Sequence, residues 1–207
     1  MRITPFLFKR IIAKILDVLG INMLMLRKLN RMYHNNYIRI INYHDTPKKV
    51  AANFEKQLQW YHDNFENVTW DKLIDFLNGN YTFTDKPGIM LTFDDGLEAN
   101  AYVAAPLLER YGFNGVFFIS SDLVSKEGYM TWDEVKSLQK KGHHIGCHTA
   151  THHRMESTDT PEVLQHEIVD SKKRLEQELD CEIDSFCWCG GEEEHYTEKA
   201  AEVIRSA

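Results

Sequence analysis

Residues 88–96 read Gly-Ile-Met-Leu-Thr-Phe-Asp-Asp-Gly, and no other stretch restricts the fold of this chain as strongly. An unbroken apolar run is what a strand buried on both faces looks like, so it predicts a central strand of a parallel sheet. The run ends in two adjacent carboxylates, Asp94 and Asp95. Buried carboxylates are costly unless a cation or hydrogen bonds compensate them, so stability does not explain the pair. Successive strand side chains point to opposite faces. Both acids can therefore serve one site only where the strand stops and the backbone turns, and Gly96 permits that turn. By itself, Asp-Asp-Gly equally fits an ordinary surface turn.

A second pattern, His148-Thr149-Ala150-Thr151-His152, follows another strand-like segment at residues 144–147. Two histidines four apart are frequent metal ligands on a helix, but the preceding strand and the threonines predict a loop here. One carboxylate and two imidazoles form an open set for Zn²⁺ or a similar divalent cation, leaving a position for water and substrate. Taken alone, the second pattern also fits a solvated loop. Two patterns at two strand ends, in this order, favour a site.

At these residues the chain resembles the polysaccharide deacetylase family, the NodB-homology or carbohydrate esterase family 4 domain. The family's first motif, Thr-Phe-Asp-Asp-Gly, stands whole at residues 92–96, and its second, His-Ser/Thr-x-x-His, at residues 148–152. The resemblance extends over roughly residues 38–207. It implies an α/β fold, a distorted (β/α) barrel of the NodB-homology type with fewer strands than the usual eight. It also implies Asp94 as catalytic base, with Asp95, His148 and His152 as metal ligands and Zn²⁺ as the expected cation. His153 is the replacement ligand should His152 not serve. The implied activity is metal-dependent hydrolysis of N-acetyl, less often O-acetyl, groups on a sugar or polysaccharide.

The pattern breaks in two places. Where the family has Arg-x-Pro-x-Gly, this chain has Cys187-Trp188-Cys189-Gly190-Gly191, with Cys187 in the arginine's place and Cys189 in the proline's. That arginine normally orients and charge-pairs the catalytic aspartate, so Asp94 lacks its usual partner. The Cys-x-Cys fits metal binding or oxidation, but small core-lining residues are the simpler reading. Glu192, Glu193 and Glu194 read as a solvated loop at the same strand end. The family's later Leu-x-His motif, source of the general acid, has no counterpart before Ala207. The expectation is a domain incomplete at its C-terminus, with little activity in these residues alone. His44, after the first strand, either shapes the substrate site or is structural. Two other classes stay open: a catalytically impaired glycan-binding relative, and a hydrolase of another non-peptide C–N bond.

At 207 residues the default is one domain with a sizeable core. Its net charge of −7 argues against a nucleic-acid surface. Residues 1–34 carry seven Lys/Arg and one Asp, net +6, against seventeen basic and thirty acidic residues in the remainder, net −13. Residues 1–36 therefore read as a basic, partly apolar helical segment ahead of a domain at 37–207. Its expected helices, 6–19 and 23–32 around Gly20, suit either peripheral membrane contact through residues 1–34 or packing on the barrel or a partner. No signal-peptide pattern and no run of about 18 uncharged apolar residues is present. Four cysteines, at 147, 181, 187 and 189, fit no disulfide framework. A reducing, cytoplasmic location, with the first segment at the inner face of the membrane, is the expectation.

Further strands are expected at 37–43, 67–70, 114–120 and 184–189. They alternate with helices at 51–65, 71–77, 99–111, 132–141, 161–179 and 197–205. Thr131 and Thr160 are the caps of the fourth and fifth helices. Such alternation predicts a largely parallel sheet, whose ligand sites lie at the carboxyl ends of the strands.

Overall fold

The computed structural model describes Ile12, Leu16 and residues 18–207. The helix expected at 6–19 lies largely outside them. Five strands form one parallel sheet: β1 (Ile38–Tyr43), β2 (Glu66–Asn67), β3 (Gly88–Phe93), β4 (Gly115–Ile119) and β5 (His144–Cys147). The order is β1-β3-β4-β5. β1 covers one whole edge of β3, whereas β2 at Gly88–Ile89 and β4 at Leu91–Phe93 share the other. Parallel pairing demands a crossover at each step. α1 (Ile21–Met32) precedes β1; α2 (Ala51–Asn64), α3 (Trp70–Leu77), α4 (Ala105–Arg110) and α5 (Trp132–Lys140) each carry the chain from one strand to the next; and α6 (Pro161–Leu164), α7 (Ser171–Leu179) and α8 (Glu198–Ser206) follow β5.

All six residues of β3 and all five of β4 are buried, as an all-apolar run requires. Their alternation divides two cores. Ile89, Leu91 and Phe93 join Phe117 and Ile119 against the helical layer, where Leu26 of α1 and Phe54 and Leu58 of α2 also bury. Met90 joins Val116 and Phe118 on the opposite face, with Val68 and Phe83. Phe93 stacks between Tyr43 (5.4 Å) and Phe117 (4.8 Å), tying three adjacent strands by one aromatic column.

Four expected boundaries shift, each for a local reason. The strand at 67–70 shortens to Glu66–Asn67, because Thr69 caps α3 by accepting from Lys72 N–H and makes Trp70 helical. The helix at 99–111 is not continuous. Pro106 has no N–H to donate, and the chain enters α4 through a π-turn, Asn100–Ala104, where Ala105 N–H reaches Asn100 O. The helix after Thr160 likewise holds a π-turn, Gln165–Asp170. The strand at 184–189 contracts to one bridge at Phe186 against Cys147, held by Cys147 N–H to Ser185 O (2.9 Å) and Cys187 N–H to Cys147 O (2.8 Å). Gly190, at φ 86, turns the chain four residues after Phe186.

A side chain at Gly146 has no room. Its Cβ would meet Ser185 Oγ at 2.5 Å and the Phe118 ring at 2.6 Å. Gly146→Ala is expected to destabilise the domain by roughly 1–3 kcal/mol, the usual cost of overpacking. A lower urea midpoint at unchanged slope would register it, and an unchanged midpoint would contradict the close approach.

Candidate active site

The carboxyl ends of β1, β3 and β5 open into a cleft of about 610 Å³. Strand parity decides what enters it. On β3, Met90, Thr92 and Asp94 share the face away from the helical layer; on β1, Asn42 and His44 do; on β5, Gly146 and His148 do. Asp95 has the wrong parity. It reaches the cleft because its backbone turns into the left-handed region, φ 73, ahead of Gly96 at the same angle. Thr149 (φ 63) and His152 (φ 64) are left-handed too. Non-glycine residues in this region cost of order 1–3 kcal/mol each and collect at functional sites.

The two sequence patterns meet here. Asp95 Oδ1 lies 3.4 Å from His148 Nε2 and 3.1 Å from His152 Nε2. His148 Nδ1 donates to Cys187 O at 2.9 Å, which directs Nε2 inward as a lone pair when the ring is neutral. Asp95 Oδ1 is buried and has no hydrogen-bond partner among the described residues. Two inward lone pairs and an unsatisfied carboxylate oxygen are the donor set a divalent cation fits. Without one, burial would raise the Asp95 pKa, yet the two imidazoles hold it far below the carboxylate range. Burial opposes charge on His148, but Asp95 and the two neighbouring cysteines raise its pKa. Asp95, then Cys189, raise His152 to about 9.

Cys189 corrects one expectation. It is buried at the site instead of merely lining the core, with Sγ 3.8 Å from His148 Nδ1 and 3.7 Å from Nε2. Donor atoms of His148, His152 and Cys189 all lie within 4.8 Å of one another. A sulfur almost equidistant from both ring nitrogens sits beside the ring, off the line of either lone pair. Asp95 is thus the better placed third donor. Burial would raise the Cys189 pKa, but the two imidazoles lower it to about 7. His153 is turned elsewhere, its Nε2 3.0 Å from both Asp159 oxygens, and does not substitute for His152.

Asp94 is 6% exposed. Its side-chain neighbour is a thiol, Cys187 Sγ donating to Asp94 Oδ1 at 3.8 Å. On the other side His44 Nε2 stands 3.9 Å from Asp94 Oδ2. Their backbones are locked together. Asp94 N–H donates to Tyr43 O at 2.9 Å. The fully buried Asn100, from the π-turn before α4, donates to His44 O at 2.9 Å and accepts from Thr46 Oγ1 at 2.7 Å. The histidine loop is anchored similarly. Glu167, in the second π-turn, accepts from Ala150 N–H (3.0 Å), Thr151 N–H (2.9 Å) and Thr151 Oγ1 (2.7 Å). Arg154, Trp188 and Tyr196 form the outer wall, and Glu192, Glu193 and Glu194 are exposed on the adjoining loop.

Asn100 and Glu167 escaped the sequence reading, whereas the sequence presents Cys189 as a metal-binding residue and, more simply, as a core-lining one. Cys189 had a signal, its spacing from Cys187 on one strand end. Asn100 and Glu167 had none, because each acts across a π-turn that no local pattern announces.

The polysaccharide deacetylase family model matches residues 82–206. Bacillus subtilis YxkH, which carries the polysaccharide deacetylase name, is 28% identical over 175 residues, 83% of this chain and 59% of that protein. The chain thus spans about three fifths of that relative's length. A peptidoglycan-N-acetylglucosamine deacetylase of Bacillus cereus is 34% identical over 90 residues, 43% of this chain and 40% of its own. Among solved structures, the Streptococcus pyogenes deacetylase PplD in complex with acetate superposes with a TM-score of 0.71 at 22% identity, over 82% of this chain and 79% of its own. IcaB from Ammonifex degensii gives 0.70 at 20% identity, over 83% and 80%. At these identities the two structures establish a shared fold.

Proposed function

The chain belongs to the polysaccharide deacetylase family, and from that premise we propose that it is a metal-dependent hydrolase removing N-acetyl groups from a sugar or polysaccharide. The observation that carries the reading is the convergence of Asp95 Oδ1 with the Nε2 atoms of His148 and His152, at 3.4 and 3.1 Å, beside a second buried carboxylate, Asp94. These three side chains are the proposed ligands, and a carboxylate with two imidazoles suits Zn²⁺. When bound, the cation supplies Lewis acidity, polarising the acyl carbonyl and lowering the pKa of a water toward about 7.

The chain's own groups do the rest. Asp94 takes the proton of the attacking water, as a general base. The departing amine leaves poorly as an anion and needs a proton. His44, across the cleft from the same carboxylate, is placed to give it from Nε2. Asn100 and Thr46 hold the His44 backbone in register, while the exposed imidazole remains free to meet substrate.

A glycan-binding relative without turnover is the second reading, favoured by the thiol standing where the family's arginine would pair with Asp94. One assay separates the two. Zinc-loaded protein should release acetate from N-acetylglucosamine oligomers, lose that activity to a chelator and regain it with Zn²⁺. Oligomer binding with the cation bound and no acetate released would establish the second reading instead.

A further inference from the structure

α1 is amphipathic in an unusual way. Its inner side buries Leu26 against the core. On its outer side Leu24, Met25 and Met32 are 61%, 58% and 54% exposed, and they alternate with exposed Arg27, Lys28 and Arg31. At 100° per residue, positions 24, 28 and 31 fall on one line and 25 and 32 beside it, so apolar and basic side chains share one arc. Met25 also opens onto a groove of about 560 Å³ between α1 and α2, where Leu29 and Trp60 meet Arg39 and Lys56. Among the described residues none of these five cations is ion-paired. The nearby acids of α2 are engaged elsewhere, Glu55 with Arg110 at 2.7 Å and Asp63 with Gln59 at 3.0 Å.

We propose that this face, the outer arc of α1 together with the groove it forms with α2, docks on the surface of an anionic lipid bilayer. Separate apolar side chains set among lysines and arginines suit the headgroup boundary. There the alkyl groups and the Trp60 indole enter the acyl margin, while the cationic heads stay with the phosphates. A second copy of the chain is the other candidate occupant, since residues 35–207 are net acidic. An acidic protein surface would pair the cations but give Leu24, Met25 and Met32 nothing to enter. No helix among the described residues is long and apolar enough to cross a membrane. The inference does not depend on the proposed activity.

The full chain should co-sediment with mixed phosphatidylglycerol–phosphatidylcholine vesicles. Binding should be at least about ten-fold weaker on phosphatidylcholine alone, and added salt should weaken it. Reversing Arg27, Lys28 and Arg31 to Glu together should reduce binding to the phosphatidylcholine level with metal content and circular dichroism unchanged. Should that variant not fold, Arg39→Glu and Lys56→Glu, on β1 and α2, should each weaken binding to the mixed vesicles. Leu24→Ser with Met25→Ser should weaken it too, at constant charge. Equal binding to both vesicle types overturns the proposal, as does binding unchanged by the charge reversals. So does a concentration-dependent dimer, abolished by the same reversals, in a chain that ignores vesicles.

Discussion

Asp94→Asn is expected to keep its cation and to lose acetate release by roughly 10²- to 10⁴-fold, the range a positioned base contributes. The substitution is nearly isosteric, and Asp94 is buried at the end of β3 with its backbone fixed by the bond to Tyr43 O. Fold and cleft should therefore persist while proton uptake fails. Turnover and bound metal, measured on the same preparation, are the check. Residual activity within a few-fold of wild type would exclude Asp94 as the base. His44→Ala extends the test. As the proposed proton donor it should slow release of an amine strongly, and of a better leaving group much less. An equal effect on both leaving groups would reduce His44 to a positioning role.

Asp95→Asn should have the opposite signature, losing metal and activity together. It removes the anionic oxygen that faces both imidazoles at 3.1 and 3.4 Å and leaves two neutral donors, a poor match for Zn²⁺. Elemental analysis after dialysis is the measurement, and full retention of the cation would sink the assignment. The metal-free site adds a pH dependence. Asp95, then Cys189, raise the His152 pKa to about 9, and ligation requires the unprotonated ring. Protons therefore compete with the cation below that pH, and affinity should rise from mildly acidic to mildly alkaline buffer. In Asp95→Asn the protons lose their partner as well, so the slope should flatten.

The buried strands were legible because parallel pairing shows in sequence as an unbroken apolar run, and 88–93 and 115–119 are such runs. Thr131 and Thr160 were readable as caps because capping is a short-range hydrogen bond, here to Glu134 N–H and Val163 N–H. The meeting of Asp95 with both histidines followed from two motifs at strand ends. What stayed hidden depends on contacts distant in sequence. The end of the first strand marked His44 as a possible site residue, but its pairing with Asp94 is set by the register of β1 on β3, Tyr43 opposite Phe93. The two π-turns add one residue to a helical turn, which the apolar periodicity barely senses. The segment at 184–189 has the composition of a strand, yet it makes only one bridge, Phe186 with Cys147, before the chain turns at Gly190.

Glu167 has a consequence for how tightly the site can hold a cation. Three hydrogen bonds donated to one buried carboxylate fasten Ala150 and Thr151, the middle of the loop whose ends carry His148 and His152. The loop's two left-handed residues, Thr149 and His152, flank the fastened pair. In many small metal domains part of the binding energy is consumed in ordering the chain. Here that ordering is done by folding, at the expense of global stability, and affinity is left to the donors alone. Uptake and release should then be fast and leave the backbone unchanged, as in a lock already cut for its key.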